Sequence, residues 1–180
     1  MKFTLEDDLW WAAQICLRSW AGYQSRRGPY GSINTPMPSD GTVSLIFAPE
    51  GRGIEPLNVK EEQLVSWFMH NELLVSGAVK HAVISWCSPD SMERTSRFDF
   101  DGDFPLVEDE AALKRNTGLC SVHIHQIEHG GLPYIGYEFG CEWEEEHRLG
   151  VLMHGTRLVH IGFADVAFVL WRAEQDMKSS

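Results

Sequence analysis

The strongest constraint on the fold is a two-residue periodicity in the last third of the chain. From Ile135 to Trp143 every second residue is apolar, and the residues between them are glycines and glutamates. Successive side chains of a β-strand point to opposite faces, so this pattern indicates a strand with one face in a core. Neighbouring apolar segments separated by turn residues extend the pattern and predict a β-meander in the C-terminal half. The predicted strands span residues 120–128, 134–143, 149–153, 158–163 and 166–171, with turns at His129-Gly130-Gly131 and His154-Gly155.

The N-terminal part of the chain predicts two more strands and a loop between them. Residues 9–20 are rich in aromatic and alternating apolar residues, which favours a strand, with a short helix as the alternative. Residues 22–41 are rich in Gly, Pro, Ser, Asn and Asp, a composition typical of a loop. Apolar residues then alternate along residues 42–48 and predict the second strand.

After residue 57 the spacing of the apolar residues changes from two to three and four, which predicts a helix. Asn58 followed by Glu61 resembles a capping box, in which the two side chains satisfy free backbone N–H groups at a helix start. Apolar residues then recur at spacings of three and four until Pro89, which cannot continue a helix. Asn71 and Gly77 leave open whether this stretch forms one helix or two.

The order of these elements predicts the fold class. Strands, then a helix, then strands indicate an α+β fold: an antiparallel β-sheet with one or two helices packed on one face. A chain of 180 residues with 43% hydrophobic residues can bury one substantial core. No repeat or linker divides it, so we expect a single domain over residues 1–180.

Several features predict a protein of the reducing cytoplasm. No segment reaches the roughly 18 consecutive apolar residues of a membrane span. The first eight residues are acidic, which is unlike a secretory signal. The four cysteines are far apart in the sequence and form no C-x-x-C pair, so we expect reduced thiols.

The charge balance restricts the class of partner. Fifteen Lys and Arg residues stand against 26 Asp and Glu residues, for a net charge of −11. This argues against binding to nucleic acid, which requires basic surface, and against anionic membranes. It is compatible with simple solubility and equally with a basic protein partner.

Three histidines are a candidate metal site. His123 and His125 would share one face of a strand, and His129, with Cys120 or Glu128, could complete a zinc site. The favoured interpretation is that these histidines lie on the polar face of a hairpin. We therefore expect no metal or cofactor, and a zinc-binding domain or zinc hydrolase is the alternative.

Two acidic stretches are candidate contact surfaces. Asp99, Asp101 and Asp103 resemble the beginning of a calcium-binding EF-hand loop, but Phe104 occupies the position where that loop requires glycine. A second run of acidic residues, from Glu142 to Glu146, could in principle provide acid and base, although such runs are more often solvated turns.

Motifs typical of enzymes are missing from the sequence. It contains no G-x-S-x-G, no G-x-G-x-x-G and no phosphate-binding loop ending in Gly-Lys-Ser/Thr. The cysteines lie in apolar contexts, where packing is the usual role. We predict no enzymatic activity.

Residues 136–151 read GYEFGCEWEEEHRLGV. This stretch resembles the signature C-x-W-x-x-E-H-G-L-G-V of an uncharacterised bacterial domain family, and residues 158–167 resemble the tail of that family. Several members lie beside polymorphic toxins and are regarded as immunity proteins. The resemblance implies a small cytoplasmic protein with no established active site.

The resemblance also implies structural roles for five matching residues. We expect Trp143 to anchor the sheet and a Glu146–His147 pair to hold the turn that follows. Arg148 stands where the family usually has glycine, which suggests a turn that does not need a positive φ. The matching residues are Cys141, Trp143, Glu146, His147 and Gly150.

The hypothesis that combines charge and resemblance is an immunity protein that neutralises a basic toxin by tight binding. Exposed aromatic residues such as Tyr23 and Tyr30 would supply anchors within a polar rim. A housekeeping interaction protein without a toxin partner is a further alternative. The candidate contact carboxylates are Asp99, Asp101, Asp103, Glu142, Glu144, Glu145 and Glu146.

Overall fold

The computed structural model describes residues 1–47, 50, 52–88 and 107–179. Within them the chain forms one seven-stranded sheet whose strands lie side by side in chain order. The strands are β1 (Thr4–Glu6), β2 (Trp10–Cys16), β3 (Thr42–Phe47), β4 (Thr117–His129), β5 (Leu132–Cys141), β6 (Glu144–His154) and β7 (Arg157–Gly162). The helices are α1 (Val59–Cys87), α2 (Glu110–Asn116) and α3 (Leu170–Ser179), and short 3-10 turns span Arg18–Trp20, Pro29–Gly31 and Ala164–Ala167.

The α+β class is confirmed, with one correction to the strand directions. Neighbouring strands are antiparallel except β3 and β4, which are parallel, with Leu45 opposite Val122. Parallel neighbours cannot be joined by a tight turn and require a crossover connection. The segment from β3 to β4, which contains α1 and α2, is that connection.

The first turn of α1 forms as the sequence predicted. The Asn58 side chain accepts hydrogen bonds from the backbone N–H groups of Lys60 (2.9 Å) and Glu61 (3.1 Å), and Glu61 Oε2 accepts one from the N–H of Asn58 (2.8 Å). The helix continues through Asn71 and Gly77 without a break, so this stretch is one helix. In the described part of the chain no helix is both long and apolar enough to cross a membrane.

One face of the sheet packs against α1 and carries the main core. Ile135, Tyr137 and Phe139, the alternating residues of β5, belong to this core together with Phe68 and Val79 of α1. All five are at most 2% exposed. The period of two in β5 therefore reflects burial of one face of the strand in the core.

The opposite face of the sheet, called here the second face, is covered rather than solvated. A Cβ added at Gly136 would lie 1.7 Å from the carbonyl oxygen of Ala167, and one at Gly140 would lie 2.3 Å from that of Gly31. The glycines that alternate with the core residues of β5 thus let two backbone segments, residues 26–31 and 163–168, lie directly on the strands.

A second, smaller core lies on the second face. Tyr134 and Leu152 of the sheet pack there with Val166 and with Ala173 of α3. Tyr134 and Ile135 are consecutive in one strand and belong to opposite cores. Helices therefore lie on both faces of the sheet, whereas the sequence predicted helices on one face.

The prediction of a strand over residues 166–171 is wrong. Residues Ala164–Ala167 form a 3-10 turn and α3 begins at Leu170. Val166 and Ala167 are buried because they pack on the second face, not because they pair within the sheet. Similarly, the strand predicted over residues 9–20 ends at Cys16 and is followed by a 3-10 turn.

Candidate functional site

The histidines proposed as zinc ligands have different surroundings. His123 and His125 share the second face, as strand periodicity predicted, but they are 4% and 1% exposed, so this is not a solvated polar face. His129 is exposed at the end of β4. Among the residues that the structure describes, no group of three or more His, Cys, Asp or Glu side chains could hold a metal ion. The zinc alternative therefore gains no support.

His125 holds a covering segment in place. Its Nε2 lies 3.0 Å from the carbonyl oxygen of Ala167 and donates a hydrogen bond to it from the neutral ring. Burial lowers the pKa of His125 to about 4, with a smaller contribution from nearby His123, against the opposing effect of the Ala167 hydrogen bond. His125 is thus a neutral structural residue at physiological pH.

A buried carboxylate, Glu138, is at the centre of the second face. Ser121 Oγ donates to its Oε2 at 2.8 Å, His123 Nε2 lies 3.2 Å from the same oxygen, and Arg148 Nη1 donates to Oε1. Burial alone would raise the pKa of Glu138, but hydrogen bonding and charge from His123, together with Arg148 and Ser121, lower it below the ordinary value. Glu138 is therefore ionised, and both of its carboxylate oxygens accept hydrogen bonds.

The Ser121, His123 and Glu138 side chains do not form a catalytic relay. In a relay, the carboxylate and the serine contact different ring nitrogens of the histidine. Here His123 Nε2 faces both Ser121 Oγ (2.9 Å) and Glu138, and its buried Nδ1 has no partner among the described residues. Nearby, burial raises the pKa of Cys120 to about 11, so that thiol is not an activated nucleophile.

The backbone conformation of Arg148 differs from the prediction that this position does not need a positive φ. Its φ is +59°, so the left-handed conformation is retained although the residue is not glycine. A non-glycine residue there costs roughly 1 kcal/mol. The Arg148 side chain forms an ion pair with the Glu138 carboxylate of the neighbouring strand β5.

The acidic run from Glu142 to Glu146, which crosses the turn into β6, contains structural and free carboxylates. Glu142 pairs with Arg26 at 2.6 Å. Glu144, and not Glu146, accepts the backbone N–H of His147 at 2.9 Å and thus holds the turn. Glu145 and Glu146 are exposed and have no ion-pair partner in the described part of the chain.

The other signature residues contribute to packing inside the protein. Cys141 is buried, and burial raises its pKa to about 12. Trp143 is partly buried against the main core. Gly150 lies under the carbonyl oxygen of Phe163, 2.4 Å from where a Cβ would be. Asp99, Asp101 and Asp103 lie outside the described residues.

The two predicted aromatic anchors differ sharply. Tyr23 is 1% exposed and packs in the main core, so the prediction that it is exposed is wrong. Tyr30 is 83% exposed and has a φ of +55°, in the 3-10 turn Pro29–Gly31. Of these two tyrosines, Tyr30 is the one available as an anchor.

Two adjoining pockets meet at Tyr30 and are called here the Tyr30 cleft. They share Arg26, Tyr30, Gly31 and Arg148. The pocket that also contains Arg27 is called here the arginine pocket and has a volume of about 330 Å³. The other is called the outer pocket and has a volume of about 280 Å³. The arginine pocket is also lined by Gln14, Arg27, Ser44, Cys120, Ser121 and Glu138, and the outer pocket by Pro29, Ile33 and Glu145.

Arg26 fixes the segment that carries Tyr30. This arginine is 4% exposed, and its guanidinium donates to Gln24 (2.7 Å), to the Gly31 carbonyl (3.4 Å) and to Glu142 (2.6 Å). The backbone N–H of Gln24 in turn donates to the Thr117 carbonyl of β4 at 3.0 Å. The cleft is therefore built on the sheet.

Sequence reasoning did not identify the cluster around Glu138. The sequence signal for this cluster was that Glu138 alternates with Gly136 and Gly140 along β5, a pattern that is also typical of a solvated strand face. Arg26 and Arg27 lie in a loop, Arg148 lies in a strand more than 100 positions further along the chain, and no local pattern connects them.

Comparison with known families gives one result. The family DUF6985, described as a domain of unknown function, matches residues 20–168. The chain belongs to the DUF6985 family. The DUF6985 match includes β3 to β7 and both segments that cover the second face, and therefore the whole Tyr30 cleft except Gln14. No curated protein and no solved structure matches the chain.

Proposed function

We propose that this protein is a cytoplasmic immunity protein, a binding module without catalytic activity, that neutralises a basic toxin by tight association. The observation that carries the proposal is the surface around Tyr30. Tyr30 is 83% exposed and lines the same pocket as Glu145, so an aromatic anchor and a free carboxylate adjoin. The resemblance of residues 136–151 to the immunity signature supports the same function.

Tyr30 has the properties of an interface anchor. Its turn is closed by backbone hydrogen bonds from Gly31 to the Gly28 carbonyl (3.1 Å) and from Gly28 to the Ser32 carbonyl (3.0 Å). A ring presented from a fixed backbone loses little conformational entropy on binding. Tyrosine is among the residues enriched at binding hot spots.

The carboxylates next to Tyr30 suit a basic partner. Glu145 lines the outer pocket with Tyr30, Glu146 follows it in the chain and is also exposed, and the whole chain carries a net charge of −11. Complementary charge at a rim mainly accelerates association and depends on ionic strength. Neutralisation of a toxin benefits from rapid capture, which this arrangement supports.

The test takes the product of the adjacent gene as the candidate toxin and follows binding by stopped-flow mixing. We expect Glu145→Lys with Glu146→Lys to slow association at low salt by about tenfold, because rim charges act on the encounter rate. Tyr30→Ala should instead accelerate dissociation and weaken affinity by about tenfold to thirtyfold.

A matched control is Glu62→Lys with Glu108→Lys, which changes the net charge equally at exposed residues outside the cleft. If this pair slows association as much as the first, the effect is one of total charge and the assigned surface is wrong. If the wild-type chain neither binds the candidate nor restores growth of cells that express it, the immunity function is rejected.

A further inference from the structure

The arginine pocket presents more hydrogen-bond donors than acceptors. Its charged lining consists of Arg26, Arg27 and Arg148 against one carboxylate, Glu138. The chain as a whole has the opposite balance, with 15 basic and 26 acidic residues. Each arginine has a carboxylate partner, Glu142 for Arg26, Asp40 for Arg27 and Glu138 for Arg148, but only Glu138 lines the pocket.

Glu138 does not satisfy this surplus of donors. Arg148 occupies its Oε1, and Ser121 and His123 occupy its Oε2. Arg26 is equally committed, to Gln24, Gly31 and Glu142. The cations available to a ligand are therefore Arg27 and Arg148.

Arg27 and Arg148 keep unused donors. Arg27 donates through Nη2 to Asp40 (3.0 Å) and to the Thr42 carbonyl (2.9 Å), and Arg148 donates through Nη1 to Glu138. Their remaining guanidinium nitrogens have no hydrogen-bond partner among the residues described. The Arg27–Asp40 pair has side chains 46% and 73% exposed, so it is weak and easily exchanged.

Backbone conformation adds an independent observation. Tyr30 (φ +55°) and Arg148 (φ +59°) are non-glycine residues in the left-handed region, and both line the arginine pocket. Such strain is concentrated at ligand-binding sites, where it fixes side chains in position. The pocket volume of about 330 Å³ is in the range of small-molecule sites.

We propose that the arginine pocket binds a small molecule that carries an oxyanion, a carboxylate or phosphate group, between Arg27 and Arg148. The organic part of the ligand lies against the ring of Tyr30. Guanidinium groups recognise such anions through charge-assisted hydrogen bonds. Of the nearby carboxylates, Glu138 is held by Arg148, Ser121 and His123, and charges farther away than about 8 Å are screened at physiological ionic strength. This inference goes beyond the proposed function and does not depend on a protein partner.

The test is isothermal titration calorimetry of the full chain with phenyl phosphate, benzoate and uncharged phenol. We expect one equivalent of an anionic probe to bind and phenol not to bind, and the tighter anion distinguishes a phosphate from a carboxylate site. Arg27→Gln should weaken binding by about tenfold or more, because one charge-assisted contact is lost. Arg27 is half exposed, so its replacement leaves the fold intact.

Arg18→Gln is the matched control, because Arg18 is exposed, lies outside the pocket and changes the charge equally. Its binding should equal that of the wild type. Glu145→Lys with Glu146→Lys, which impairs the proposed toxin contact, should leave binding of the anion unchanged or tighter. The proposal is overturned if no anionic probe binds, or if Arg27→Gln binds as tightly as the wild type.

Discussion

At the scale of single residues, His125 shows how burial determines chemistry. The imidazole is 1% exposed, and its pKa is lowered to about 4 from an ordinary value of 6.5. The unfolded chain takes up a proton at this position as the pH falls below 6.5, but the folded chain does so only near pH 4. The contribution of His125 to stability is thus present above pH 6.5 and is lost as the pH falls towards 4.

We expect His125→Gln to flatten the dependence of stability on pH. In the wild type, His125 should account for a loss of about 3 kcal/mol in the free energy of unfolding between pH 6.5 and 4. Glutamine keeps an N–H donor for the Ala167 carbonyl but does not titrate. Urea unfolding at several pH values between 7 and 4 measures how steeply the free energy of unfolding changes with pH.

His81→Gln, at an exposed site on α1, is the control and should retain the wild-type slope. An unchanged slope in His125→Gln would show that acid sensitivity in this pH range arises from other groups.

At the scale of elements, a carboxylate within α3, Asp176, ties this helix to the sheet. Asp176 accepts hydrogen bonds from Arg157 at 2.6 and 3.1 Å and from the Tyr134 hydroxyl at 2.8 Å. The Arg157 hydrogen bond is the main reason that the pKa of Asp176 is lowered. A short helix of ten residues gains most of its stability from such tertiary contacts.

We expect Asp176→Ala to cost about 1–2 kcal/mol, since hydrogen bonds to a charged group are lost. Amide hydrogen exchange in α3 should accelerate, while exchange in α1 stays unchanged. Gln175→Ala, one position earlier on the exposed side, is the control and should leave both helices as in the wild type. Equal exchange in the two variants would mean that packing of Ala173, and not Asp176, holds α3.

At the scale of the whole molecule, the protein is a sheet covered on both faces by different means. Side chains of α1 cover one face, and backbone segments laid on glycines cover much of the other. The second arrangement has little tolerance for added volume, because the covering atoms are main chain and cannot rotate away. The Tyr30 cleft is the region of the second face where Ser121 and Glu138 border an open pocket.

We expect Gly136→Ala to destabilise the protein by about 3 kcal/mol or more, because its Cβ would overlap the Ala167 carbonyl. The same change at Gly77, in α1 with nothing within 4 Å, should stabilise it by about 0.5–1 kcal/mol. Thermal and urea unfolding of the two variants measures the difference. A mild effect at Gly136 would mean that residues 163–168 can move away from the sheet without loss of the fold.

Local patterns were sufficient to predict the α+β class, the capping box of α1 and the core face of β5. Each of these follows from neighbouring residues: a period of two, a period of 3.6, or a cap and its partner three positions later. The same patterns failed for residues 166–171, since an apolar run that packs on a sheet resembles one that pairs within it.

Contacts between distant segments decided the remainder, including the candidate site. The sequence by itself determined that β5 alternates, but it could not distinguish glycines facing water from glycines under a covering backbone. The burial of Tyr23, the exposure of Tyr30 and the ion pair between Arg148 and Glu138 all depend on segments far apart in the chain. Tertiary structure decides them because burial and ion pairing depend on which segments meet in space.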